Sequence, residues 1–210
     1  ILRCLVGSEM CIRDSPILCV QDMISIYSYR KSFHLKNLII LLPAATVGIV
    51  FGYLWFSLLS EDNIRIFLGL LAITFSLNYF FFSKDSKLAD VSVTKGSFWG
   101  TISGFTSCGI HAGGLPFNIY MLPQKLDHRV YVGTAAIFFG IVNLVKLYPY
   151  YLLDQLRIEN ITTALFLLPF APIGFYIGFK LTHKLDGDRF YGITYFCLLI
   201  IGLKLLSDGI

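Results

Sequence analysis

The sequence predicts an all-α bundle of membrane-crossing helices, and three observations carry that prediction. Hydrophobic residues fill 56% of the 210 positions and charged residues only 14%, whereas a soluble domain carries about 25% charged residues. The apolar residues are gathered into uncharged runs: Leu38–Ser60, Ile66–Ser83, Gly96–Gln124, Val130–Val145, Ile161–Phe179 and Phe190–Leu203. Several of these reach the roughly 17–25 residues that a crossing helix needs. None alternates apolar with polar as a barrel strand does, and a helix satisfies its own backbone hydrogen bonds in lipid.

The elements follow in chain order. "CLVGSEMCIRDS" (Cys4–Ser15) is polar, unpatterned and stops abruptly where apolar sequence begins. It resembles the conceptual translation of a sequencing adapter, so residues 1–15 are set aside from fold reasoning. Native sequence is then expected from Pro16, inside a helix whose start is missing. From there the runs predict helices at 16–29, 37–60, 64–83, 97–121, 129–151, 160–182 and 189–207. Aromatic ends such as Asn78–Phe82 and Tyr148–Tyr151 suit the membrane interface. Lys84–Lys95 is the longest polar link.

One motif occurs twice. "LLPAATVGIVFG" (Leu41–Gly52) matches "LLPFAPIGFYIG" (Leu167–Gly178), pairing Pro43 with Pro169, Gly48 with Gly174 and Gly52 with Gly178 at a constant shift. Upstream, "DMISIYSY" (Asp22–Tyr29) resembles "NLVKLYPY" (Asn143–Tyr150). A single membrane domain over 16–210 is therefore expected, with a partial first repeat at 16–83, a linker at 84–96 and a second repeat at 97–210. Internal duplication is the usual build of secondary transporters, which bind their cargo between the repeats. Whether the repeats are parallel or inverted stays open, because a re-entrant 97–121 segment would invert one of them.

The formal charge of +4 is scattered through short loops. It suits anionic lipid headgroups rather than nucleic acid. Cys4, Cys11, Cys19, Cys108 and Cys197 form no CxxC pair, so neither a disulfide framework nor a zinc site is supported, and no metal or cofactor is expected. Alternating the helices across the membrane splits Lys and Arg almost evenly, eight to six, with Arg30 and Lys31 assigned to the cytoplasm. A homo-oligomer stays open.

The segment "SGFTSCGIHAGGLP" (Ser103–Pro116) carries the chemistry. Gly96, Gly100 and Gly104 recur every four residues, a spacing that lets helix backbones approach closely in membranes. Gly109, Gly113, Gly114 and Pro116 are poor material for a continuous helix. A break at membrane depth is tolerated where it lies inside protein or lines a cavity, and the amides of a half-helix start attract an anion. Ser107, Gly109, His111, Gly113, Gly114, Asn118, Thr134 and Asn143 are the candidate substrate contacts. His111 serves equally as an interhelical hydrogen-bonding group, and for Asn118, Thr134 and Asn143 that role is the stronger expectation. Lys146 and Asp22 are candidate charge partners; Lys146, near a predicted helix end, is expected to snorkel to the headgroups, and Asp22 is placed to couple protons.

Other classes fit less of the chain. Ser107 or Cys108 with His111 would make a nucleophile and base, but no third group orients them and no GxSxG elbow is present; the chain does not read as an enzyme. An anion or small-solute channel, or a structural membrane protein, remains the alternative.

The run "GSFWGTISGFTSCGIHAGGLPFNIYMLP", followed by "YVGTAAIFFGIVNLVKLYPY" and "LLPFAPIGFYIG", resembles the TauE/SafE family of sulfite and organosulfonate permeases, as does "PILCVQDMISIYSYRKSFHLKNLIILLPAATVGIVFG" in the first half. The resemblance implies about eight membrane helices in two related halves that export small anions such as sulfite or sulfonates, with residence in a bacterial inner membrane. It puts the family's second-half glycine motif on Gly104, Gly109, Gly113 and Gly114, and the following helix on Gly133, Thr134 and Asn143. The first-half counterpart of that glycine motif is expected upstream of Pro16.

Overall fold

A computed structural model describes residues 21–55, 60–82, 88–110, 112–152 and 170–210. The adapter reading of 1–15 lies outside them. Helix α1 covers residues 21–29, followed by α2 (Leu35–Trp55), α3 (Glu61–Phe82), α4 (Val93–Ile110), α5 (Gly114–Met121), a 3-10 turn (Leu122–Gln124), α6 (His128–Leu152), α7 (Phe170–Lys184) and α8 (Gly187–Gly209). Among the described residues there is no strand. Helices α2, α3, α6 and α8 are long and apolar enough to cross a membrane, and Phe67, Leu70, Phe81, Phe196 and Ile200 face outward, as a lipid-facing surface requires.

The tightest packing is between α2 and α4, and glycine sets it. A Cβ on Gly48 would strike the backbone carbonyl of Thr101, and one on Gly104 would strike that of Ala45. Gly96 meets Ile40, and Gly100 meets Leu41 and Ala44. Partner numbers rise together along both helices, so α2 and α4 run parallel. The small-residue face read from Gly96, Gly100 and Gly104 is thus a helix-packing face. A second pair, α3 and α8, crosses antiparallel: Gly209 lies against Asp62 and Ile66, Gly202 against Gly69 and Ala72, and the Tyr79 and Tyr195 rings stack with centroids 3.6 Å apart.

The predicted single element at 97–121 is two helices folded back on each other. The end of α5 returns to the start of α4: Tyr120 Oη lies 3.4 Å from Ser92 O, and the Ala89 amide donates to Pro123 O at 3.1 Å. Near the tip, Ser103 Oγ donates to Gly113 O at 2.7 Å. The hairpin therefore enters and leaves at one end of the bundle, which is where α2 and α6 begin.

That geometry re-sorts the basic residues. Arg30, Lys31, Lys36, Lys95, Lys125, Arg129, Lys180, Lys184 and Arg189 gather toward the hairpin's end, against Arg65 and Lys204 toward the other, among the described residues. The near-even split expected from alternating crossings is overturned, because α4 and α5 together make no crossing.

A buried polar knot ties the hairpin's foot to α2. Asn37 is fully buried; its Nδ2 donates to Gln124 Oε1 at 2.7 Å, its Oδ1 accepts from Tyr120 Oη at 3.0 Å, and Gln124 Nε2 donates to Tyr120 O at 3.1 Å. Gln124→Leu leaves the Asn37 amide buried without this acceptor. It is expected to cost about 1–3 kcal/mol, read as a lower melting temperature of detergent-solubilised protein.

Candidate functional site

Ser107 sits in the last turn of α4, where backbone carbonyls run out of helical donors and carry negative partial charge. Lys146 of α6 meets that end. Its Nζ donates to Ser107 Oγ at 3.1 Å and to Ser107 O at 3.3 Å, and the residue is only 2% exposed. The snorkelling expectation is therefore wrong. Lys146 lies six residues before the end of α6, about 9 Å along a helix axis, and the frayed end of α4 offers it acceptors that headgroups would otherwise supply. Its Nζ shares two oxygens of Ser107 inside the bundle.

Around it stand four more sequence-predicted residues. Gly113 packs on Ser107, where a Cβ would come within 2.7 Å of Ser107 Cβ and of Ser103 O. Cys108 and Asp22 both feel the Lys146 charge. Asn143, one turn before Lys146, donates from Nδ2 to Asp22 Oδ2 at 2.6 Å. Ser107, Gly113, Asn143, Lys146 and Asp22 are thus brought together by α1, α4, α6 and the hairpin tip.

The remaining candidates go elsewhere or do less. Asn118 Oδ1 accepts from Tyr131 Oη, and Thr134 Oγ1 accepts from the His34 amide at 2.8 Å while donating to Val130 O at 2.7 Å. Both serve as interhelical hydrogen bonds nearer the basic end. Gly109 and Gly114 are partly buried, and a Cβ on Gly114 would meet nothing, so no close approach requires glycine there. His111 lies outside the described residues.

The break itself is present, but it works differently from the sequence expectation. The Leu115 amide is used by Ala112 O and the Phe117 amide by Gly113 O, both at 3.3 Å, and Pro116 has none. At most the Gly113 and Gly114 amides remain at the start of α5. Beside it, the Lys146 side chain is held at the carbonyl end of α4.

Sequence reasoning missed Asn37, Tyr120 and Gln124, which sit beside loop charges and read as interfacial. It also undervalued Lys146; the one signal available was its phase, one turn beyond Asn143 on the same helix face.

Two cavities lie between the helices. One of about 330 Å³ between α1, α6 and α7 is lined by Gln21, Asp22, Ser25, Tyr29 and Thr182 among others. A larger one, about 1,090 Å³, opens at the basic end among Lys125, Asp127, His128, Asp188 and Arg189. Ser107, Gly113 and Lys146 line neither.

Neither a curated protein nor a solved structure matches the chain. The profile of the family described as sulfite exporter TauE/SafE matches residues 13–205, a span that takes in every described helix from α1 to most of α8 and the whole Ser107–Lys146 cluster. With that coverage, the chain belongs to the TauE/SafE sulfite exporter family.

Proposed function

We propose that the protein is a secondary transporter of the bacterial inner membrane that exports a small sulfur oxyanion, sulfite or an organosulfonate, bound between the tip of the α4–α5 hairpin and α6. The observation that carries this reading is the buried Lys146 ammonium resting on Ser107. A charge held at that depth by two oxygens of a helix end is poised to exchange them for the oxygens of an anion, because charge-assisted hydrogen bonds are the stronger ones. Ser107 Oγ then turns to donate, and Gly113 leaves room beside it.

The direction of the helices supports a transporter. Helix α2 carries Pro43, Gly48 and Gly52, and α7 the matched Gly174 and Gly178, yet α2 runs away from the basic end and α7, whose Phe179 packs on Tyr29, runs toward it. Asp22 and Asn143, aligned in the repeat, meet across the antiparallel pair α1 and α6. Mates in opposite directions are the pattern of inverted repeats, which rock about a central site. The basic end is the cytoplasmic one by the excess of Lys and Arg in its loops, so the hairpin enters from the cytoplasm.

Reconstituted in liposomes, the protein is expected to show saturable, counterflow-stimulated movement of sulfite or methanesulfonate. Ohmic anion current without counterflow would identify a channel instead, and no flux of either anion would overturn the reading.

A further inference from the structure

Resting on the transport reading, we infer that Asp22 is a proton-binding site coupled to the anion site, so that the anion crosses together with a proton. The charge arrangement requires a partner of this kind. Asn143 Nδ2 donates to Asp22 Oδ2 at 2.6 Å and stands one turn before the buried Lys146 on α6, so a half-buried carboxylate and an opposite charge act on each other across that turn. Once an oxyanion takes the Lys146 ammonium, Asp22 is left with a neutral amide as its neighbour. An ionised carboxylate without its counter-charge in a low-dielectric interior is costly, and taking up a proton removes that cost.

Among the described residues, the surroundings of Asp22 offer no second cation. From α6 it faces Asn143, Lys146 and Gly140; from α7 the lining residues Gly174, Phe175, Gly178, Phe179 and Thr182 carry no charge, and from α1 the cavity adds the Tyr29 phenol; on α4 the Cys108 thiol is influenced by the same Lys146. A metal ion is a poor alternative, since no group of three His, Cys, Asp or Glu ligands occurs among the described residues. Asp22 lines the cavity between α1, α6 and α7, which Ser107 and Lys146 do not touch, so a proton can reach it by a route separate from theirs.

The step balances simply. For a monoanion such as methanesulfonate or hydrogensulfite, a proton from water binds Asp22 Oδ1, the Asn143 N–H bond to Oδ2 is kept, and the loaded cluster carries no net charge. The translocated load then carries no net charge, so concentration gradients rather than voltage set its direction.

The test is simultaneous measurement of anion flux and internal pH in liposomes, with methanesulfonate as the strong-acid probe that brings no proton of its own. The wild-type protein should move a proton for each anion, at a rate unchanged by an imposed potassium diffusion potential. Asp22→Asn, which keeps a hydrogen-bonding partner for Asn143, should bring the proton-to-anion ratio close to zero and make any remaining flux voltage-sensitive. Wild-type methanesulfonate flux that is electrogenic and leaves internal pH unchanged would overturn the inference while leaving the transport reading intact; this measurement needs no variant. Absence of saturable counterflow by the wild-type protein, with sulfite as with methanesulfonate, would overturn the transport reading and this inference with it.

Discussion

Replacing Lys146 with methionine is expected to abolish anion flux while leaving a protein that still elutes as a single species in detergent. Methionine has a similar reach and packs without charge, so the α6 surface that meets α4 is kept. What is lost is the bundle's fixed cation at Ser107. Removing the cation that would pair with a buried anion costs about 2–5 kcal/mol of binding, and each 1.4 kcal/mol is tenfold in affinity. Flux at limiting substrate should therefore fall by more than about tenfold. Lys146→Arg keeps the charge but brings a planar, bulkier head against Ser107 and Gly113, and should recover part of the flux with altered preference between sulfite and methanesulfonate. Wild-type flux from Lys146→Met would remove the central element of the proposed site.

The helices and the break were legible because both depend on local chemistry. Long uncharged runs have one stable form in lipid, and Gly109 to Pro116 disfavour a continuous helix whatever surrounds them. The reversal at that break was not legible. Whether the chain continues or folds back depends on what lies beside it, and here Ser103 Oγ caps Gly113 O while Tyr120 reaches Ser92. Those contacts exist only once the hairpin has formed. The basic-residue count failed for the same reason: one miscounted crossing moves every later loop to the wrong side. Lys146 was misjudged because a lysine near an aromatic helix end reads as interfacial, and nothing in its neighbours announces that the end of another helix will supply acceptors. The two uses of Asn143 and Asp22 show the opposite case. Their alignment within the repeat, noticed as sequence similarity, is a direct contact in the fold.

The second large effect belongs to Gly104. Any side chain there, alanine included, would place its Cβ on the Ala45 carbonyl and Cα, and α4 has no freedom to rotate away, since Gly48 presents the reciprocal contact to Thr101 one turn along. A clash with backbone cannot be relieved by a rotamer change, so the two helices must separate along their length. Overpacking that side chains can absorb costs about 1–3 kcal/mol; a forced helix separation exceeds that, because it uncovers Leu41, Ala45 and Ile49, all buried in the core. Gly104→Leu should yield no monodisperse protein on size-exclusion chromatography, and Gly104→Ala a markedly lower melting temperature. Gly187→Ala, at a position where a Cβ meets nothing, should behave as wild type. The contrast matters for function because the α2–α4 contact fixes where the C-terminal end of α4, and with it Ser107, meets Lys146. If Gly104→Leu folded normally, α4 would not be seated on α2 as described, and the position of the anion site would lose its structural basis.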